Sequence, residues 1–566
     1  MDGWGGRASA DRRASEVPGG DEGVRKRHGR HYTPERLARF LAERVAEHVA
    51  PRGEVRVLDP ACGDGELLLA VGRVLAERFP GIPLRLTGFD LDAEAVRVAR
   101  TRGEGLEIDW HAGDFLTAAE DLAPAGFDVV ITNPPYVRTQ QLGSAAAQLL
   151  ARRYGLTGRI DLTHPFVASV PRLLRPGGVL GLLCANRFLT TKAGTNLRAL
   201  LRSELAPVEL YDLGDTRLFE AAVLPAITIA LRAPAAAPCR YVSAYELDTP
   251  RTTSTTDLYT ALTAPSGTVI THSGRTIAIE IGTLADDLTP APSGATPRPD
   301  ATVPWRMSHP GVDGWLRRVA EGTWRTFGEV VRIRVGIKTT ADRVFISDRW
   351  EEREPRPEAE LLFDLLTHHD LAPWRITRSH PTRVLYPYDV TRARRTPVDL
   401  GEFPAAAAYL AEHKDTLAAR GYVTAGGREW FEIWVPQRPH LWSRPKLVFP
   451  DISVRPRFAL DRSGAIVNGD CYWISLPDLG ADTLAYLLMG VANSTLGLRF
   501  YDAVCGNRLY AGRRRWITQY VGRLPLPDPA TPAAAALTEL VRTFVDGAAE
   551  PDPALLDERV AAAFRL

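Results

Sequence analysis

The sequence has no long apolar run and few cysteines, and its opposite charges nearly cancel. No apolar stretch approaches the roughly 20 residues that cross a bilayer, and the amino terminus lacks the apolar centre of a secretory signal, which predicts a cytoplasmic protein with no membrane partner. The five cysteines have no paired metal-ligand spacing, which argues against a zinc or other metal site and against a disulfide framework. The net charge of +1 does not indicate a polyanionic partner, so basic clusters have to be sought segment by segment.

The composition is that of a folded globular protein. The chain has 566 residues, of which 45% are hydrophobic and 24% are charged, which predicts roughly two to four domains with ample core. Residues 1–30 are rich in Gly, Ser, Asp and Arg without periodic apolar positions, and we expect a disordered tail there. Order is expected from residue 31, where Thr33 can cap a helix that has Pro34 at its first position.

A strand, a glycine-containing loop and a helix follow in order. The strand covers residues 55–59 and ends at Asp59, and an apolar helix runs from residue 66 to about 78. The loop glycines do not have the spacing of a phosphate-binding G-x-G-x-x-G motif, so the ligand need not be a phosphate. Asp59 and Asp64 flank the loop and suit a cationic amino or sulfonium group, while Gly63 and Gly65 let the backbone approach it closely.

Two more predicted strands end in acidic residues. Asp90 follows the second strand, where such folds bind ribose hydroxyls. Asp114 follows the third strand and could accept a hydrogen bond from an adenine amine, with Phe115 or its neighbour against the ring. Each aspartate taken singly is equally well explained as a helix cap or turn. Three such strand ends in succession are harder to explain by turn chemistry alone.

The fourth strand, residues 127–132, runs directly into Asn133-Pro134-Pro135-Tyr136. The two prolines stiffen the turn and hold the Pro134 carbonyl outward beside the Asn133 amide oxygen. Two acceptors beside the flat ring of Tyr136 suit a planar ring that carries an exocyclic amine. The tetrapeptide alone would also fit a simple strand-ending turn.

These segments together resemble the class I S-adenosylmethionine-dependent fold of amino-directed DNA methyltransferases. Their order, with the cofactor motifs first and a long segment after the tetrapeptide, resembles the gamma class of N6-adenine methyltransferases, the Taq-like group of restriction-modification and phage-defence systems. The resemblance implies an α/β, Rossmann-like domain with a seven-stranded, mostly parallel sheet, followed by a mixed α+β target-recognition domain. It further implies S-adenosylmethionine as cofactor and double-stranded DNA as partner.

The resemblance also assigns roles to individual residues. The implied catalytic residues are Asn133, Pro134, Pro135 and Tyr136, with Phe219 closing on the opposite face of the target base. A place for Phe219 in the core is an equal alternative. The implied cofactor-binding residues are Tyr32, Thr33, Pro34, Asp59, Pro60, Ala61, Cys62, Gly63, Gly65, Asp90, Leu91, Asp114, Phe115 and Asn133.

Beyond the catalytic domain the composition changes twice. We expect a catalytic domain over residues 31–235, a partly ordered connector over 236–320 with short strands near 240–245 and 276–281, a target-recognition domain over 321–530 and C-terminal helices over 531–566. Basic residues interleaved with aromatics are what a DNA groove needs, although each cluster alone would also fit a solvated face. The predicted DNA contacts are Arg332, Arg334, Lys338, Arg455, Arg457, Arg513, Arg514 and Arg515.

The predicted activity is site-specific methylation of adenine N6. The alternatives are methylation of cytosine N4, methylation of a protein glutamine, and a non-catalytic DNA-binding subunit of a defence complex. A separate restriction endonuclease or other defence subunits are the further partners to expect, because the sequence shows no fused nuclease.

Overall fold

The computed structural model describes residues 33–136, 144–158, 160–219, 224–234, 237–247, 252–285, 303–378, 380–505, 509, 512–547 and 550–566. The chain divides into two compact units. The first comprises residues 1–185, 196–210 and 217–237, and the second comprises 186–195, 211–216 and 238–566. The predicted tail and Tyr32 lie outside the described residues. Among the described helices, none has both the length and the apolarity of a membrane span.

The first unit is built on a mostly parallel sheet. Its strands are β1 (Val55–Asp59), β2 (Leu84–Asp90), β3 (Ile108–Ala112), β4 (Phe127–Thr132), β5 (Leu174–Ala185), β6 (Ala206–Asp212) and β7 (Pro225–Leu231). Their order across the sheet is β6-β7-β5-β4-β1-β2-β3. The pairs among β1 to β5 are parallel, and β7 runs antiparallel to β5. The predicted α/β architecture is therefore confirmed.

Helices separate the successive strands β1 to β6, and the parallel pairs among β1 to β5 require such crossovers. They are α1 (Glu35–Glu47), α2 (Glu66–Arg78), α3 (Ala93–Arg102), α4 (Phe115–Ala118), α5 (Ser144–Arg153), α6 (Thr163–Leu173) and α7 (Thr195–Ser203). Helix α1 buries Leu37, Leu41 and Val45 on one face. It packs on β5 at Gly181, where an added Cβ would collide with the Val45 side chain. The helix predicted from residue 33 is thus present, but it begins at Glu35 with Pro34 as N-cap.

The second unit contains antiparallel strands where a connector was predicted. They are β8 (Arg240–Glu246), β9 (Thr268–His272), β10 (Arg275–Leu284) and β11 (Met307–Ser308), with helix α8 (Leu258–Thr263) between the first two. Strands β8, β9 and β11 each pair antiparallel with β10. The strands predicted near 240–245 and 276–281 are confirmed as parts of β8 and β10.

The remainder of the second unit is mixed α and β, as predicted. Its strands are β12 (Arg325–Thr326), β13 (Arg334–Val335), β14 (Ile346–Ser347), β15 (Leu362–Leu366), β16 (Arg383–Leu385), β17 (Lys446–Pro450), β18 (Ile452–Ser453), β19 (Ala459–Asp461), β20 (Ile466–Val467), β21 (Cys471–Ser475), β22 (Arg514–Arg515) and β23 (Pro525–Leu526). Its helices are α9 (Pro310–Glu321), α10 (Phe327–Val330), α11 (Asp342–Phe345), α12 (Pro404–Glu412), α13 (Lys414–Ala418), α14 (Gly421–Ala425), α15 (Asp482–Asn493), α16 (Thr495–Cys505), α17 (Thr518–Val521), α18 (Pro532–Val545) and α19 (Pro553–Ala563).

Two small sheets organise this part of the chain. One has the order β13-β21-β17-β19 and the other β14-β16-β15-β20. The predicted C-terminal helices α18 and α19 are present and bury Leu537, Val541 and Val560 in the same apolar core as β17 and β21. The aromatic residues noted in the sequence are therefore partly core residues, because Trp473 and Trp516 are almost fully buried.

A buried ion pair joins two strands of the first of these sheets. Lys446 and Asp461 face each other across β17 and β19, with Lys446 Nζ 2.7 Å from Asp461 Oδ2. Both side chains are almost completely buried, and burial lowers the pKa of Lys446 despite the nearby carboxylate. The lysine also donates a hydrogen bond to the Trp442 carbonyl at 2.8 Å.

We predict that Lys446→Ala destabilises the second unit by about 3–5 kcal/mol, because it leaves the Asp461 carboxylate buried without its cation. The measurement is thermal unfolding of the full chain. Lys414→Ala is the control, since Lys414 is exposed and lies over the Trp430 ring at 5.7 Å. That change should cost about 1 kcal/mol or less. Equal shifts in the two variants would contradict the prediction.

Candidate active site

The carboxyl ends of β1, β2, β3 and β4 lie at one edge of the first unit's sheet. Strand β1 is paired in parallel with β2 on one side and with β4 on the other, with Leu58 opposite Val130. The loop after β1 and the tetrapeptide after β4 therefore start at neighbouring strand ends. Open α/β sheets bind their ligands outside this edge.

The glycine loop after β1 is tied to the end of β2. The Gly63 N–H donates to Asp90 Oδ2 at 2.8 Å, and the Cys62 N–H donates to the Phe89 carbonyl at 2.7 Å. The other oxygen of Asp90 accepts from the Asp92 N–H at 2.9 Å. Since an ionised carboxylate has about four acceptor positions, Asp90 retains capacity for the predicted ribose contact. Its observed role is to fix the shape of the loop.

Gly65 occupies a position that disfavours any residue with a Cβ. Its φ is +85°, in the left-handed region that favours glycine. A Cβ at this position would lie 2.9 Å from Trp110 Cη2 and 3.1 Å from Ala99 Cβ. Helix α2 begins at the next residue, so Gly65 allows the turn from the loop into the helix.

The two aspartates beside the loop have different environments. Asp59 is 0% exposed; its Oδ1 accepts from the Ala61 N–H at 3.0 Å, and its Oδ2 has no hydrogen-bond partner among the described residues. Burial, reinforced by the charge of Asp90, raises the pKa of Asp59 to about 8. The Asp64 carboxylate instead pairs with Arg102 at 2.6 Å. The sequence predicted both aspartates as partners of a cationic ligand. In the structure Arg102 already neutralises Asp64.

The loop therefore fits the predicted cofactor in two respects. The buried Asp59 Oδ2 is a polar atom without a partner among the described residues, and the loop beside it is held in a fixed shape by the Gly63 N–H bond to Asp90. A cationic donor such as S-adenosylmethionine would satisfy the negative charge that the fold otherwise disfavours at Asp59. Pro60, Ala61, Cys62 and Gly63 form the backbone of this loop.

The predicted cofactor-binding residues after β2 and β3 differ in exposure: Leu91 is exposed, whereas Phe115 is buried. Leu91 is 74% exposed directly after Asp90, which leaves its side chain free to cover an apolar ligand face. Asp114 caps α4, accepting from the Leu116 N–H at 3.0 Å and from the Thr117 hydroxyl at 2.9 Å. Phe115 is only 2% exposed.

The ring of Phe115 is stacked on Phe166 and lies edge-on to Phe89, with ring centroids 5.5 and 5.6 Å away. The ring is therefore almost fully covered by the protein, which argues against Phe115 in the prediction that Phe115 or its neighbour lies against the adenine. Phe115 is the first residue of α4, and its contacts with Phe166 of α6 and Phe89 of β2 explain its burial.

The tetrapeptide after β4 is in contact with the start of α1. Asn133 Nδ2 donates to Thr33 Oγ1 at 3.2 Å, and the Tyr136 hydroxyl donates to Asn133 Oδ1 at 2.5 Å. Pro134 is buried, while Asn133, Pro135 and Tyr136 are half-buried. The predicted capping role of Thr33 is wrong, because no side chain caps α1. Sequence reasoning missed the contact between Thr33 and Asn133, which are 100 residues apart.

Phe219 lies in the first unit and is 8% exposed. Its ring is thus largely buried in the described conformation, as in the alternative that placed it in the core. The role of closing on the opposite face of a base stays a prediction.

Three of the predicted DNA-contacting arginines lie around one cleft in the second unit. Arg455, Arg457 and Arg513 come from two segments about 56 residues apart and line a space of about 660 Å³. Ile452 and Val454 add exposed apolar surface to its rim. An open cleft with several guanidinium groups and apolar side chains is suited to phosphates and base edges.

Other predicted contacts hold the fold together, which corrects the prediction for two of them. Arg334 is 9% exposed, pairs with Asp478 at 2.5 Å and lies over the Trp473 ring. Arg514 binds both carboxylate oxygens of Asp502, at 2.6 and 2.8 Å. Both guanidinium groups therefore already bind carboxylates of the same chain.

The remaining basic residues are accessible. Arg515 pairs with Asp451, which raises the pKa of the arginine, and its side chain is 43% exposed. Arg332 and Lys338 are exposed.

A histidine in the cleft was not predicted from the sequence. His368 Nδ1 lies 2.5 Å from Asp470 Oδ2, and both residues line the same space as Arg455. The two residues lie about 100 positions apart and belong to no recognisable motif, so only the fold brings them together.

Comparison with known proteins gives concordant results. Residues 100–219 match the family model of the Eco57I restriction-modification methylase. The chain is 33% identical over 553 residues to the type II methyltransferase M.BanIII of Aneurinibacillus aneurinilyticus, covering 92% of this chain and 93% of that protein. It is 26% identical to the type II methyltransferase M.PaeR7I of Pseudomonas aeruginosa, covering 84% of this chain and 82% of that one.

Among solved structures, the fold resembles that of the type IIL restriction-modification enzyme MmeI in complex with DNA. The TM-score is 0.60 at 12% identity, and the match covers 94% of this chain and 71% of MmeI. At this identity the likeness concerns the fold, and it extends over both units of the chain.

We predict that Gly65→Ala weakens S-adenosylmethionine binding at least tenfold, because the added methyl group must displace Trp110 or distort the loop. The measurement is isothermal titration of the cofactor. Gly81→Ala is the matched control: Gly81 has a similar φ of +84°, but a Cβ there would meet nothing within 4 Å. Both variants carry the same backbone strain, so equal losses of affinity would contradict the argument.

Proposed function

The chain belongs to the family of type II restriction-modification DNA methyltransferases, and we propose that it methylates the N6 amine of an adenine rotated out of double-stranded DNA. The methyl donor of this family is S-adenosylmethionine. The observation that supports the proposal best is the position of Asn133: its amide follows β4 at the sheet edge where the loop after β1 also begins.

The chemistry of the tetrapeptide suits an exocyclic amine. The Asn133 amide oxygen and the Pro134 carbonyl would accept hydrogen bonds from the two N–H groups of the target amine, while the Tyr136 ring supports the base. Accepting both hydrogens draws the nitrogen from its planar, conjugated form toward a tetrahedral form with a more available lone pair. The half-buried state of Asn133 strengthens these polar interactions relative to water.

The bound donor would supply an electrophilic methyl group on a positively charged sulfur. The protein's own contribution is to place the target nitrogen and orient dipoles around it, with no strong base required. Rotation of the base out of the duplex costs a few kcal/mol, which stacking on Tyr136 helps to offset. Cytosine N4 and a glutamine side-chain amide carry the same pair of N–H donors, so they are alternative outcomes of the test.

We predict that Asn133→Ala lowers turnover on unmethylated DNA by about 10²–10³-fold and weakens cofactor binding far less, since the lost acceptor acts mainly on the target amine. Single-turnover assays with the full chain give the rate, and mass spectrometry of digested nucleosides identifies the base.

Asn196→Ala is the control, because the Asn196 amide bonds only Thr157 among the described residues. It should keep near-normal turnover. Methylcytosine as the product would overturn the proposed base, and normal turnover of Asn133→Ala would overturn the role of the amide.

We also propose that the arginine cleft of the second unit contacts DNA. Arg455 and Arg513 are exposed there, and Arg457 donates one guanidinium N–H to the Leu371 carbonyl at 3.1 Å, which fixes its direction. Because the net charge of the chain is only +1, its attraction to DNA has to come from a local group of basic residues. A cleft of this kind serves both backbone neutralisation and base contact.

We predict that the double variant Arg455→Ala/Arg513→Ala binds DNA at least tenfold more weakly at moderate salt. Its log Kd should also depend less steeply on log salt, by about one for each phosphate that the variant no longer neutralises. Fluorescence anisotropy of a labelled duplex at several salt concentrations gives both values. An unchanged slope together with a weaker Kd would mean that the two arginines contact bases and not phosphates.

Two arginine controls separate binding from folding. Arg97→Ala removes an exposed arginine that pairs with Glu94 in the first unit, and it should leave both quantities unchanged. Arg514→Ala breaks the partly buried pair with Asp502, so it should lower the unfolding temperature rather than the salt slope. An unchanged Kd in Arg455→Ala/Arg513→Ala would remove the cleft from the DNA-binding surface.

A further inference from the structure

Strands β18 and β22 form a two-stranded antiparallel ribbon that borders the arginine cleft. We propose that this ribbon enters the major groove of the target duplex and that Ile452 and Val454 contact the 5-methyl groups of thymines there. The proposal rests on the DNA contact proposed for the cleft. It adds two specificity-determining residues to the arginines that would bind phosphates.

The register of the ribbon decides which side chains share a face. Ile452 lies opposite Arg515, and Ser453 lies opposite Arg514. Paired residues of antiparallel strands point to the same side of a sheet, and side chains alternate along each strand. Ile452 and Arg515 therefore share one face, while Ser453 and Arg514 share the other. Val454, two positions after Ile452, falls on the face of Ile452.

The exposure of these side chains agrees with the register. Ser453 is buried, and the Arg514 side chain is only 11% exposed. On the other face Ile452 and Val454 are 39% and 40% exposed, and Arg515 is also accessible. The ribbon thus has one face toward the protein and an outer face on which apolar and cationic side chains lie side by side.

The two exposed apolar side chains call for an apolar ligand group. A single exposed apolar residue is ordinary. Here two of them lie on one face of a ribbon, in a cleft that Arg455, Arg457 and Arg513 also line. Phosphates gain nothing from apolar contact, whereas the thymine 5-methyl group is an apolar feature of base edges in the major groove. Strand residues two positions apart are separated by roughly 7 Å, which is about two base-pair steps.

The size and charge of the ribbon also fit this groove. The major groove is about 12 Å wide and admits a two-stranded β-ribbon. Arg513 is exposed in the same cleft and places a cation beside the apolar pair. The two carboxylates that line the cleft have partners in the same chain, because Asp451 pairs with Arg515 and Asp470 Oδ2 lies 2.5 Å from His368 Nδ1.

The test uses uracil, which differs from thymine only in lacking the 5-methyl group. Modified-base sequencing of DNA from cells that express the full chain identifies the methylated site. Duplexes of that site are made with thymine, or with uracil at every thymine position except opposite the target base. Fluorescence anisotropy gives Kd, and uracil should weaken wild-type binding about fourfold for each contacted methyl group. Ile452→Ala/Val454→Ala should bind the thymine duplex several-fold more weakly and should bind both duplexes equally.

Leu106→Ala is the matched control. Leu106 is an exposed apolar residue of the first unit, shortly before β3, and its truncation should leave the ratio of the two Kd values at the wild-type level. Equal binding of both duplexes by the wild type would overturn the proposal. A double variant that still prefers thymine to the wild-type extent would overturn it too, because the methyl groups would then be contacted elsewhere.

The outcomes separate this inference from the proposed function. If Arg455→Ala/Arg513→Ala binds DNA normally, the cleft is not a DNA contact and the ribbon proposal fails with it. If that variant binds weakly while the wild type is indifferent to uracil, only the contact with thymine methyl groups fails. The methylation chemistry is tested independently by Asn133→Ala, since Asn133 lies in the first unit and the ribbon in the second.

Discussion

The parallel pairing of β4 with β1 and of β1 with β2 is the constraint on which the candidate site depends. It brings three segments that are far apart in sequence to a single sheet edge, with the loop after β1 between the other two. The Asp90 carboxylate then fixes that loop by accepting the Gly63 N–H. Because a backbone N–H cannot turn away as a side chain can, the loop has a defined shape before any ligand binds. Preorganisation of this kind lowers the cost of ligand binding.

The tetrapeptide is restrained in a similar way. Its prolines restrict the backbone, and the Asn133 amide is held at both ends by hydroxyls from Thr33 and Tyr136. Catalysis by placement needs such restraint, since oriented dipoles stabilise a transition state only if they do not have to reorganise. The Asn133 amide is thus supported from the segment that leads into α1 as well as from its own turn.

Local patterns predicted the first unit well because they are local consequences of strand and turn chemistry. The strand ends at Asp59, Asp90 and Asn133 were each predicted, and so was their shared edge. Features that depend on partners distant in sequence were not predictable: the pairing of Asp64 with Arg102, the burial of Phe115 against Phe166, and the contact between Thr33 and Asn133. In each case the side chain's chemistry was visible in the sequence but its partner was not.

The arginines of the second unit show why composition alone cannot locate a binding surface. Arg513, Arg514 and Arg515 are consecutive, yet Arg514 is held by Asp502, Arg515 pairs with Asp451, and Arg513 lines the cleft. Strand alternation sends neighbouring side chains to opposite faces, so a basic run in an extended segment is divided between the interior and the surface. Arg334 is removed from the surface in the same way by Asp478, while Arg332, two residues earlier, stays exposed. The cleft itself is lined by Arg455, Arg457 and Arg513 and also by Asp451 and Asp470, so its arginines exceed its carboxylates by one, and the exposed cations there are Arg455 and Arg513.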